Sequence, residues 1–60
     1  MKNRIKILRE ERNMTQNELA EKSGLSLRTI QRIEAGNALK GFTLKAIARS
    51  LETEPEKLLA

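Results

Sequence analysis

A chain of 60 residues forms one domain at most and hides only about 60% of the surface its unfolded form exposes, so its stability has to come from regular packing. It has no cysteine and no histidine, which excludes disulfide frameworks and the usual zinc sites, and without a convergent carboxylate pair it offers no obvious general base or nucleophile for an enzyme. The net charge is +4, but residues 1–49 hold eleven of the twelve basic residues and five of the eight acids, a balance of +6, while the remainder carries −2. A basic body with an acidic end implies a polyanionic partner that meets the body and not the end.

In chain order, Ile5 and Leu8, with Ile7 as a further candidate, give an apolar stripe for a first helix over residues 2–12, and Asn13 is a tolerable left-handed terminator. Thr15 caps the second helix, with Glu18 as its capping-box partner and Met14 and Leu19 in the two hydrophobic-staple positions. Leu19, Ala20 and Ser23 face inward, and Gly24 ends the helix where positive φ is needed. The device repeats with Ser26 as N-cap and Leu25 and Ile30 as staple, giving a third helix that ends at Ala35 with Gly36 beyond it. Phe42, Thr43 and Ile47 predict a third copy of the cap and staple, opening a fourth helix whose Leu44, Ile47, Ala48 and Leu51 share one face. Glu54 and Pro55 open a last short turn, with Pro55 at the first helical position and Leu58 and Leu59 as an apolar end. The expectation is an all-α, five-helix unit with short connections.

The second and third predicted helices are joined by a glycine-containing turn of a few residues, the arrangement of a helix-turn-helix over about residues 15–35. Ala20 is the small residue that a close crossing needs. At about 100° per residue, Ile30 and Ile33 centre the buried side of the third helix, and Arg28, Gln31, Arg32 and Ala35 fall opposite with Leu27 at the edge. Arg28 and Arg32 form an i, i+4 like-charge pair, which weakens an isolated helix by a few tenths of a kcal/mol. Folding gains nothing from that pair; a phosphate-rich partner would, because arginine contacts phosphates and grips guanine through two hydrogen bonds.

With "TQNELAEKSGLSLRTIQRIE" in this register, and flanking runs "IKILREERNM" and "TLKAIARSLETEPEKLL", nearly the whole chain resembles the phage-repressor/Cro, or Xre, type of helix-turn-helix domain. The resemblance implies that residues 1–60 are one repressor-like DNA-binding domain whose third helix lies in the major groove of double-stranded DNA. It also implies that Leu27, Arg28 and Arg32 face bases, with Gln31 a fourth candidate, and that Thr15 and Gln16 contact phosphates. It further implies that Arg9 pairs with Glu34 as a structural link between the first and third helices. Ala35 departs from the pattern, standing where the family often has an asparagine on the DNA backbone, so that contact is not carried over. The loop "GNALKGF" lacks the usual proline; its Asn37 and Lys40 are candidate phosphate ligands.

Other roles stay open for several of these residues. Leu27 can pack on a thymine methyl or be covered by the loop, Gln31 can pair with adenine or stay solvated, and Thr15, Glu18 and Ser26 are first of all capping residues. The function expected is sequence-specific DNA binding by a transcriptional regulator; the alternative is a protein-interaction module of the same fold, such as a toxin-binding antitoxin-like partner. No metal, no cofactor and no small-molecule ligand is implied. No apolar run approaches the roughly 20 residues of a membrane span, and a cysteine-free chain suits the cytoplasm. Leu58 and Leu59, with little sequence left to cover them, motivate a homodimer, against the alternative that they pack on the first helix.

Overall fold

The computed structural model describes residues 3–37, 39 and 41–59, and among these there are five helices and no strand. They are α1 (Ile5–Glu11), α2 (Gln16–Ser23), α3 (Leu27–Glu34), α4 (Gly41–Ser50) and α5 (Pro55–Leu58). Each brings at least one side chain to a common core. Ile5, Leu19, Ile30, Ile47 and Leu58 come from the five helices in turn, and Leu51 just after α4 joins them, all fully shielded from solvent. The second helix packs against both α3 and α4, and α4 against α5. The backbone N–H of Arg4 donates to the Leu58 carbonyl at 2.9 Å, so the start of α1 and the end of α5 are tied together.

Local chemistry sets the ends of α2 and α3. The Thr15 hydroxyl accepts from the Glu18 N–H at 3.1 Å while the Glu18 carboxylate accepts from the Thr15 N–H at 2.8 Å, a complete capping box. Ser26 Oγ accepts from the Thr29 N–H at 3.1 Å and caps α3. Met14 and Leu25 pack against the core as the outer staple residues.

Four helices stop by one device. A residue in the left-handed region donates its N–H three residues back, and the next residue donates five residues back. Asn13 and Met14 do this to Glu10 and Arg9, Gly24 and Leu25 to Glu21 and Ala20, Gly36 and Asn37 to Ile33 and Arg32, and Glu52 and Thr53 to Arg49 and Ala48, at 3.0–3.3 Å. The left-handed residues have φ of 54°, 78°, 108° and 54°. Glu52 is the one of the four with neither glycine's freedom nor asparagine's tolerance. A left-handed L-residue costs roughly 1–2 kcal/mol, and glycine returns about 0.5–1 kcal/mol of that through the unfolded chain. Glu52→Gly is therefore expected to stabilise the protein by about 0.5–1 kcal/mol and raise its melting temperature by about 2–8 °C, as a thermal melt would read. An unchanged or lower melting temperature would show that the Glu52 side chain contributes more than its backbone costs.

The structure departs from the sequence reading at three places. The first helix begins at Ile5, after Asn3 and Arg4, because Asn3 Oδ1 accepts from the Ile5 N–H at 3.0 Å and closes a side-chain turn there; Lys2 lies outside the described residues. Ile7 is half exposed on the outer side of α1. The fourth helix already includes Gly41, so Thr43 sits inside its first turn and is not its cap. Phe42 then falls roughly opposite the face of Leu44, Ile47, Ala48 and Leu51, and is 77% exposed where a staple residue would be covered. Leu58 belongs to the chain's own core, so of the two terminal leucines only Leu59 stays exposed.

Candidate nucleic-acid interface

The corner between α2 and α3 is closed by Leu19 and Ala20 on one side and Ile30 and Ile33 on the other, all buried, with Gly24 making the turn at φ 78°. What fixes α3 against the rest of the molecule is a polar network at its last turn. The Glu34 carboxylate accepts from Arg9 Nε at 2.7 Å through Oε2, and through Oε1 from Arg9 Nη2 at 3.2 Å and from Gln16 Nε2 at 3.0 Å. Arg9 Nη1 donates to the Met14 carbonyl at 2.7 Å. The two charged side chains are only 10% and 5% exposed. One guanidinium thus joins α1, the entry to α2 and the end of α3. A second clamp lies nearby, where Asn3 Nδ2 donates to the Ile33 carbonyl at 2.8 Å. Among the described residues, no buried side-chain nitrogen or oxygen lacks a hydrogen-bond partner.

With Glu34 turned inward, the other side of α3 carries no acid. Arg28, Gln31, Arg32 and Ala35 are exposed there, and among the described residues neither arginine is held in an ion pair. Leu27 is half-buried and packs against the edge of the core. A family model described as Helix-turn-helix matches residues 5–58. The chain belongs to this family of Xre/Cro-type helix-turn-helix proteins. No curated protein and no solved structure gives a significant match. The family is one of DNA-binding regulators and is not enzymatic. No helix among the described residues of this helix-turn-helix protein is long and apolar enough to cross a membrane.

The remaining sequence-predicted residues are placed as follows. Thr15 and Gln16 stand at the start of α2, the positive end of that helix dipole. Thr15 is exposed with its hydroxyl engaged in the cap, while the Gln16 amide is partly buried and spends one hydrogen on Glu34. Asn37 is exposed just beyond α3; Lys40 lies outside the described residues.

The sequence reading missed the part that Gln16, Asn3 and the Met14 carbonyl play in holding α3. Glu34 itself carried a signal. An acid in the last turn of a helix opposes the helix dipole, so it needs a specific cationic partner. Asn3, a capping-type residue just before the first apolar stripe, was the corresponding signal for α1. The Arg9 guanidinium is held above the usual arginine range by its hydrogen bond to Glu34, against the opposing effect of burial, with the charges of Glu34 and Glu10 adding to the rise. It remains charged at any pH where the protein works.

Proposed function

We propose that this helix-turn-helix protein binds duplex DNA sequence-specifically with α3 in the major groove, and acts as a transcriptional regulator. The observation that carries this reading is the acid-free outer face of α3, where Arg28 and Arg32 are exposed while the helix's one carboxylate is turned inward to Arg9. In this reading each of the two arginines donates a forked pair of hydrogen bonds to a guanine edge, or binds a phosphate. Gln31 pairs with adenine, and Leu27 offers a methyl-sized apolar contact at the groove wall. Thr15 and Gln16 place the start of α2 against the DNA backbone, where helix N-termini favour phosphate. Asn37, just beyond α3, and, by its charge alone, Lys40 add backbone contacts. These phosphate contacts orient the protein and the α3 side chains read the sequence.

The Cα trace spans 23 Å along its longest axis, less than the roughly 34 Å between successive major-groove turns on one face of DNA. One copy reads one half-site, and we place two copies on a full site, with Leu59, exposed just after α5, as the apolar side chain at their contact. Selection of bound sequences from random duplex DNA tests both parts. Two related half-sites centred about 10–10.5 base pairs apart are expected, with affinity falling steeply with salt by a logarithmic slope of about −0.9 for each phosphate neutralised. Salt-sensitive binding with no enriched sequence would leave an electrostatic binder without readout, and a single unpaired half-site would remove the dimer.

A further inference from the structure

Away from α3, the C-terminal end of α2 and the outer side of α4 enclose a groove of about 310 Å³. Its floor is made of small side chains, Ser23, Ala46 and Ser50, which leave the hollow between the two helices. The hydroxyls of Ser23 and Ser50 are turned to their own helices, donating to the Ala20 and Ala46 carbonyls at 3.2 and 2.8 Å. The rim is Lys22, Lys45 and Arg49 around Phe42, the chain's single aromatic residue, and among the described residues no acid lines it. Nothing in the core requires a phenylalanine at this position: Phe42 is 77% exposed on the side of α4 turned from the core, and the hydrophobic effect leaves it with surface to cover.

We propose that this groove is a docking site for a partner protein that presents an acidic segment carrying one large apolar side chain. The apolar side chain lies over the small-residue floor against Phe42, and carboxylates on either side meet Lys22, Lys45 and Arg49. Of these side chains Phe42 and Arg49 are the types that interfaces favour, an aromatic and an arginine beside a small hollow, and the two lysines add charge complementary to an acidic segment. A DNA backbone is the other polyanion that three cations would attract. Phe42 fits it less well, since a phenyl ring has no hydrogen bond to give a phosphate and finds only the narrow sugar edges to cover. The groove shares no lining residue with α3 or with the other residues proposed to meet DNA, so a docked segment and bound DNA use different side chains.

The test uses two synthetic 12-residue peptides, both rich in aspartate and glutamate, one with a central leucine and the other with serine in its place. Amide shifts of the full chain are followed as each is added. The leucine peptide is expected to move the signals of Lys22, Ser23, Phe42, Lys45 and Arg49, and to bind roughly tenfold more tightly than the serine peptide, the contribution of one large apolar side chain. Phe42→Ala should abolish that tenfold preference, and Lys45→Glu should weaken both peptides, with unchanged melting temperatures because neither side chain is in the core. Duplex DNA affinity should be the same for Phe42→Ala as for the parent. Equal binding of the two peptides, or shifts centred on Arg28 and Arg32, would overturn the proposal. So would a Phe42→Ala variant that loses duplex affinity and keeps the leucine preference, which would make the groove part of the DNA surface.

Discussion

Glu34→Ala is expected to lower the melting temperature of the free protein by about 12–40 °C, and Arg9→Ala by a similar amount. Removing one partner of a shielded ion pair costs about 3–5 kcal/mol, because the charge left behind has been taken out of water with nothing to compensate it. Here the stranded group would be the Arg9 guanidinium, 10% exposed, with only the Met14 carbonyl still accepting from it, or the Glu34 carboxylate with only Gln16 donating. A folded chain of this length has a total stability on the order of 3–9 kcal/mol, so the loss removes a third or more of it. Each kcal/mol shifts the midpoint of a small domain by about 4–8 °C. Replacing both residues with leucine is expected to restore much of the loss, since an apolar pair of similar volume often does as well as a buried ion pair. Thermal melts of the two single variants and the double variant give the comparison. Single losses under about 1 kcal/mol would mean that water reaches the pair and screens it like a surface salt bridge.

The same network has a definite pH signature. A cation whose pKa is raised on folding contributes stability that is complete below its unfolded value and is lost only as the pH climbs through the folded one. For Arg9 both lie at the alkaline end, so its link to Glu34 gives no slope on the basic side of neutrality over the range in which the protein is handled.

The parts of the fold written in short-range chemistry were legible in the sequence. Thr15 with Glu18, Ser26, Gly24 and Gly36 each act within a few residues of themselves, and the structure has each of them where local rules place it. The start of α4 was not legible. Phe42, Thr43 and Ile47 repeat the cap-and-staple spacing seen twice before, and only the packing of α4 on α2 and α5 decides that the helix already includes Gly41 and turns Phe42 outward. Glu52 carries no local sign of a left-handed conformation; the helix stops there because Leu51 is already in the core and the chain must turn to bring Leu58 beneath α1. On the candidate site, periodicity alone separates Ile30 and Ile33 from Arg28 and Arg32. The joint role of Gln16 was hidden because its partner is eighteen residues away and lies on another helix.

Arg28→Ala and Arg32→Ala are each expected to weaken binding to the selected DNA site by about 1–3 kcal/mol, a loss of roughly 5- to 150-fold. Neither change should disturb folding. Both side chains are exposed, and removing either one relieves the i, i+4 repulsion along α3 by a few tenths of a kcal/mol, so the variants should melt at or slightly above the parent temperature. This opposite movement of stability and affinity separates a recognition residue from a structural one, and Glu34→Ala provides the contrast, since it should lower stability first and affinity only as the fold is lost. The two arginines need not do the same work. An arginine on a guanine edge, when truncated, relaxes preference at one base position and leaves affinity for unrelated duplexes nearly unchanged. One on a phosphate weakens every duplex alike and makes the salt slope shallower by about one. Arg28 lies in the first turn of α3 beside Leu27, and Arg32 in its last turn near the Arg9–Glu34 clamp. A helix that enters the groove by its N-terminal end brings the first turn nearest the bases, so the loss at Arg28 should be confined to particular positions in the site, and that at Arg32 should be spread more evenly over all sequences. If both variants bound the selected site as tightly as the parent, α3 would not be the reading helix.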